Sequence, residues 1–143
     1  MPGTVKMGFE GQLFYGTPGT TGATQLTNCQ DINFPMDSDT GNTTVRGDGT
    51  QIPIETMGVT CLKGTIEFTM ILDTADTSLV AMMTAAATGA GVALRLKDYA
   101  AGKGPDGDYI LKVENGMPLK GEQTKKFTGT PTRGYGRNPQ LYV

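Results

Sequence analysis

The side chains with the most chemical potential are carboxylates, and their spacing serves structure better than catalysis. Asp37, Asp39 and Asn42 set out oxygen ligands as the first part of a calcium loop does. The later bidentate glutamate that completes an EF-hand is missing, so no metal site is expected. Asp73 and Asp76 form a carboxylate pair, yet helix capping accounts for both. Gly102-Lys103-Gly104-Pro105-Asp106-Gly107 has the lettering of a dinucleotide cradle. Such a cradle must open a helix, whereas this one feeds a strand at Tyr109, which predicts a hairpin turn and no cofactor. Arg46-Gly47-Asp48 spells an adhesive tripeptide and Asn42-Thr43-Thr44 a glycosylation acceptor. Both require secretion, and residues 1–13 have no continuous apolar stretch of the kind a signal peptide needs. Lys120, Lys125, Lys126, Arg133 and Arg137 could meet phosphate, but only Phe127 and Tyr135 accompany them and the net charge is −2. Tight DNA binding is therefore not expected.

What is missing narrows the chemistry further. The chain has no histidine, which excludes Ser-His-Asp and Cys-His catalysis, imidazole bases and His-ligated zinc. Serine occurs only at Ser38 and Ser78. Cys29 and Cys61 lack CxxC spacing; they could pair in an oxidising compartment, although isolated cysteines usually serve as small apolar residues. The longest apolar run, over 79–87, is broken by Thr84 and is too short to span a bilayer. A soluble protein made in the cytoplasm, without a catalytic site, is the expectation.

The elements follow from composition and period. A chain of 143 residues suits one domain with a real core. Its 21 glycines, a similar abundance of threonine and only 37% apolar residues favour strands and turns. Residues 9–16 read as a strand with Phe9, Gly11, Leu13 and Tyr15 on one side, and residues 26–34 as a second, with Leu26, Ile32 and Phe34 in phase. Residues 36–50 are polar at turn-forming density, which predicts a long exposed loop or protruding hairpin. Alternation returns over 51–60, where Pro53 demotes the run to an edge or bulged strand. Residues 63–72 give the clearest strand, with Ile66, Phe68, Met70 and Leu72 facing one way. Then the period changes: Asp73 or Thr74 can cap, Leu79, Met82, Met83 and Ala86 make a helical stripe, and Gly89 stops it. Strands follow at 92–96, at Tyr109, Leu111 and Val113, and at 120–130, with a tight turn expected at Asn115-Gly116.

Charge is segregated along the chain. Residues 1–80 hold three basic and nine acidic side chains, and residues 81–143 hold nine basic and five acidic. Folding can mix these again; otherwise the molecule has an acidic and a basic face suited to head-to-tail stacking on copies of itself.

Taken in order, residues 37–130 resemble the tail tube (major tail) proteins of tailed bacteriophages, a family related in fold to the tube protein of type VI secretion. The resemblance runs through Thr43-Thr44-Val45-Arg46-Gly47-Asp48-Gly49, the strand Lys63-Gly64-Thr65-Ile66-Glu67-Phe68, the helix start Leu72-Asp73-Thr74-Ala75-Asp76 and the alanine-rich helix ending at Gly89. It implies a mainly β fold over 1–143: a β-sandwich or barrel of antiparallel strands with one flanking helix (about 74–88), a protruding loop or hairpin (about 36–60) and extended N- and C-terminal ends. It further implies a structural subunit that assembles into stacked rings forming a hollow tube for DNA, in the host cytoplasm first and then in the virion. The implied partners are other copies of itself and the tail initiator, terminator and tape-measure proteins, with no membrane and no cofactor. A secretion or contractile-injection tube shares the fold, and a head-completion or decoration protein fits less well.

On that resemblance Asp39, Thr44, Arg46, Asp48, Ile52 and Ile54 are expected at the contact between rings. Leu79, Met82 and Met83 would seal neighbouring subunits or else cover the subunit's own core. Glu67 and Glu122 are expected to face a lumen lined by Thr, Gly, Asp and Glu, because lysine and arginine there would hold phosphate by counterion release.

Overall fold

A computed structural model of the chain describes residues 3–46 and 52–143, so Asp48 lies outside the described residues. A 3₁₀ turn at Gly8–Glu10 precedes β1 (Gln12–Gly16), β2 (Thr24–Gln25), β3 (Cys29–Asn33), β4 (Met36–Asn42), β5 (Met57–Gly64) and β6 (Ile66–Ile71). Helix α1 (Thr77–Thr88), β7 (Gly91–Lys97), β8 (Asp106–Gly116) and β9 (Thr124–Thr132) complete the order. This is the mainly β, one-helix architecture that the sequence predicts.

Seven strands make one antiparallel sheet in the order β2-β1-β7-β8-β9-β6-β3, and β4 pairs with β5 as a separate hairpin. The outermost strands, β2 and β3, are joined only by residues 26–28. A flat seven-stranded sheet would hold its edges about 29 Å apart. That linker reaches roughly 14 Å at most. The sheet therefore curls until its edges approach, giving a barrel with an open seam between β2 and β3.

Alternation fills the barrel. Ile66, Phe68 and Met70 of β6, Tyr109 and Leu111 of β8, Phe127 of β9, Val92 and Leu94 of β7 and Leu13 of β1 are buried. Phe68 and Phe127 are register partners and stack at 5.1 Å between centroids. Leu79 and Met82 bring α1 onto the same core. Leu72 falls past the end of β6 and is exposed.

The helix starts three residues later than the sequence suggests. Asp76 is its N-cap, accepting the Ser78 and Leu79 N–H groups at 3.0 and 3.3 Å, while Asp73 accepts the Ala75 N–H in the preceding turn. Two aspartates three apart offer alternative starts, and only the later one leaves 73–76 free to turn from β6 into the helix. Gly89 closes α1 at φ 73°, the left-handed conformation glycine adopts without strain. Asp76→Ala should lower the unfolding free energy by about 1 kcal/mol, read as a shift in the urea midpoint at constant slope.

Other boundaries also move. Phe9 sits exposed in the 3₁₀ turn, and the run over 26–34 is cut where Asn28 leaves the ladder to donate its side-chain amide to the Ile71 carbonyl at 2.5 Å. Asn115-Gly116 stays in β8, paired to Lys125 and Thr124, and the reversal falls at 117–123.

Candidate assembly surfaces

The hairpin β4–β5 is barely covered by its own chain. It is rooted where Gly64 lies under Phe34 and Leu141; a Cβ there would come within 2.7 and 2.8 Å of those side chains. Beyond the root the strands are almost wholly exposed, including Met36, Met57, Val59 and Leu62. Thr43 and Thr56 lace the outer end, with hydroxyls 2.7 Å apart and the Thr43 N–H donating to the Thr56 carbonyl at 3.0 Å.

The register decides what this hairpin presents. Asp39 pairs with Cys61 and Thr40 with Val59, so Thr60 is an extra residue in β5, a β-bulge. Directly opposed residues share a face of the ladder. One face thus carries Met36, Leu62, Val59 and Met57 with Ser38, Thr40 and Asn42, and the other carries Asp37, Asp39, Cys61 and Lys63. Val59 and Leu62 are three apart in sequence, and without the bulge they would point to opposite sides. The bulge assembles an exposed apolar stripe that period-two reading of the sequence cannot see.

The expected contact residues divide among several roles. Asp39 is held in an ion pair to Lys63 at 3.0 Å on the polar face, and Thr44 accepts the Thr56 N–H at 2.9 Å. Both brace the hairpin itself. Arg46, Ile52 and Ile54 are exposed near its outer end, while Asp48 falls outside the described residues. Asp37 and Asp39 lie on the face opposite Asn42, which splits the oxygen set considered for calcium.

The helical stripe resolves in favour of the subunit's own core: Leu79 and Met82 are 2% and 0% exposed, and Met83 packs against the same cluster. A neighbour cannot touch side chains already covered by the sheet, so this is a correction to the inter-subunit expectation for Leu79 and Met82, while Met83 is only partly buried. Val80 is the exposed large apolar residue that α1 offers outward.

Glu67 stands on the outward face of the barrel wall, between register partners Asn33 and Thr128. The same face holds Thr69, Lys112, Glu114 and Lys126, with Glu114 directly opposite Lys126. That wall is charge-balanced, with Glu67 and Glu114 beside Lys112 and Lys126. Glu122 is in the 117–123 connection and belongs to no strand. Lys125 points the other way and is buried.

Arg137 likewise belongs to no surface patch. Its Nε meets Asp108 Oδ1 at 3.1 Å and its Nη1 meets Asp106 Oδ1 at 3.0 Å, strapping the segment after β9 onto β8. Asp108 Oδ1 also accepts the Gly19 N–H at 2.9 Å, and Tyr135 Oη accepts the Gly91 N–H at 2.7 Å. The two cysteines are free thiols, Cys29 half-buried and Cys61 exposed. Burial, with Asp76 nearby, pushes the Cys29 thiol up to about 12. At pH 8 a thiol reagent should therefore label Cys61 rapidly and leave Cys29 largely protonated and slow, as peptide mapping would show.

Among the described residues no helix is long and apolar enough to cross a membrane, and no three His, Cys, Asp or Glu side chains group as metal ligands would. No family model and no curated protein matches the sequence. Solved structures do match. A chain from the tail of an empty GTA particle, refined helically with C6 symmetry, aligns over 97% of this chain and 100% of its own, with TM-score 0.74 and 11% identity. The chain has the fold of a phage tail tube protein. The SPP1 tail tube, solved by solid-state NMR and cryo-EM, gives TM-score 0.63 and 11% identity over 96% of this chain and 80% of its own.

Proposed function

We propose that the chain is the structural subunit of a phage tail tube, assembling with copies of itself into stacked rings around a channel for DNA. The observation that carries this is the similarity of fold to a helically refined tail chain over 97% of this chain and the whole of the other. The hairpin supports it: an exposed apolar stripe on a separate ladder is costly for a solitary monomer and suits a contact completed by assembly. In this reading the chain acts by self-association and performs no catalysis. Its partners are further copies, the tail initiator and terminator and the tape-measure protein, and its place is the virion tail after assembly in the host cytoplasm.

The outward wall of β6, β9 and β8, with Glu67, Glu114, Lys112 and Lys126, is the candidate channel lining. Each lysine there has a carboxylate or threonine across the ladder, so phosphate meets little net positive charge and DNA is not retained. Arg46, Ile52 and Ile54 at the hairpin's outer end, with the apolar stripe behind them, are the candidate contact to the next ring. Electron microscopy of the purified chain at rising concentration tests the proposal. Rings or hollow tubes are expected; monodisperse monomers at every concentration, even with added tail initiator, would overturn it.

A further inference from the structure

The hairpin and the barrel edge from which it springs share one register. Asn33 opposes Glu67 in the β3–β6 pair and Met36 opposes Gly64 in the β4–β5 pair, with two residues on each strand between. The two ladders are therefore one two-stranded ribbon, interrupted at Phe34 and Pro35, where proline has no N–H to pair. Half of the ribbon is built into the barrel wall and half projects. A joint without main-chain pairing is where such a ribbon can pivot. Ile32 and Phe68 oppose each other on the inward face, so by alternation Met36 and Gly64 continue that face into the apolar stripe.

The segment after β9 reaches this joint. Pro139 lies over Gly107, where a Cβ would meet its Cα at 3.0 Å. Gln140 and Asp106 exchange main-chain hydrogen bonds of 2.8 and 2.9 Å, and Gly104 and Val143 exchange a pair of 3.0 and 3.1 Å. Arg95 clamps the end of this pairing, donating Nη1 to the Gly104 carbonyl at 2.8 Å and Nη2 to the Val143 carbonyl at 2.6 Å. Residues 140–143 thus lie as a short strand against the start of β8, beyond the last β9 pair at Asp108 and Thr132. From that anchored strand Leu141 reaches Gly64 and Phe34.

We infer that residues 140–143 are a strut, which presses Leu141 against the joint and holds the β4–β5 hairpin at a fixed angle to the barrel. Gly64 is buried, and a Cβ there would come within 2.7 Å of Phe34 and 2.8 Å of Leu141, so its absence admits both side chains. Phe34 packs against the barrel core, which ties the joint to the rigid part of the fold. Leu141 stands on the stripe's side of the ribbon. A hairpin pivoting towards that face would carry Met57, Val59 and Leu62 down onto its own barrel, a collapse that the hydrophobic effect favours. Leu141 fills the inside of that bend. The strut is a property of one subunit and stands on its geometry; its consequence for assembly rests on the tube reading. A freed arm that kept the native angle for about a tenth of the time would raise the concentration needed for assembly about tenfold.

Spin-label distance measurements on the full chain, below the assembly concentration, test the strut. The labels sit on Cys61 in the hairpin and on Lys112→Cys in the barrel wall, with Cys29→Ala in every sample. The reference should give one narrow distance distribution. Leu141→Ala should lose that narrow peak, and Leu141→Met, which refills the contact with a similar volume, should restore it. Tyr142→Ala, which removes an exposed neighbour on the same strand, should leave the peak narrow. Circular dichroism of each variant confirms that the barrel is folded before its distances are read. Unlabelled Leu141→Ala should then need about tenfold more protein to assemble. A peak that stays narrow in Leu141→Ala, or is lost equally in Tyr142→Ala, would overturn the strut. Loss of the peak in Leu141→Ala, in a protein whose unmodified chain never forms rings or tubes, would keep the strut and reject the tube. Loss of the peak with assembly at the usual concentration would reject the strut's role in aiming the arm.

Discussion

Inserting one threonine between Asp39 and Thr40 should abolish assembly and leave the barrel folded, whereas deleting Thr60 should leave assembly nearly intact. Both changes remove the bulge and restore a regular two-stranded ladder. They differ only in phase. Deletion of Thr60 keeps Val59 opposite Thr40 and Leu62 opposite Ser38, so the stripe survives. The insertion gives Thr60 a partner and turns Val59 and Met57 onto the face of Asp37 and Lys63. Each of these side chains contributes about 1.5–3 kcal/mol if fully buried at a contact. Losing two raises the concentration required for assembly by about a hundredfold or more, since every 1.4 kcal/mol is a factor of ten. Sedimentation and electron microscopy across a concentration series read the outcome. Equal assembly by both variants would show that the stripe is not the contact, and equal loss would assign the role to the bulge's local twist.

The same arithmetic explains what the sequence revealed and what it hid. The strand over β6 was legible because Ile66, Phe68 and Met70 alternate without interruption against threonine and glutamate, and burial follows that period residue by residue. The helix was legible for the same reason, from its stripe and Gly89; its start was not, because Asp73 and Asp76 are equally good caps until the turn out of β6 is known. The apolar face of the hairpin was hidden by the bulge, since a single extra residue breaks the alternation that a sequence reading depends on. The groove at the open seam between β2 and β3 was hidden more deeply. Leu13, Leu26, Ile32 and Leu96 come from three sheet strands and the 26–28 linker, and only closure of the barrel gathers them. Arg137 reads in sequence as one member of a loose basic cluster with Lys125 and Lys126. In the fold the three separate into an internal strap, a buried side chain and the outward wall.

The strap carries the second large expectation: Arg137→Ala should cost about 3–5 kcal/mol of stability, a substantial share of the 5–15 kcal/mol typical of a domain. Asp108 is fully buried, and its Oδ2 has no hydrogen-bond partner among the described residues, so Arg137 provides its compensating charge together with the Gly19 N–H. Removing the guanidinium strands a carboxylate in the barrel wall and also frees Asp106, whose other oxygen holds Thr21. Arg137→Lys should recover only part, because a single ammonium cannot span two carboxylates as the planar fork does. Arg137→Ala combined with Asp108→Asn should lose less than Arg137→Ala alone, since the buried charge is gone, and the non-additivity measures the coupling. Lys63→Ala supplies the contrast. The Lys63–Asp39 pair has a similar separation, 3.0 Å, but both side chains are more than half exposed, so its loss should barely move the unfolding midpoint. Urea midpoints for these four variants and for Asp108→Asn alone decide the matter. Equal, small shifts for Arg137→Ala and Lys63→Ala would mean that water reaches Asp108 and that the segment after β9 is held by Tyr135 and the Gln140–Asp106 backbone pairing instead.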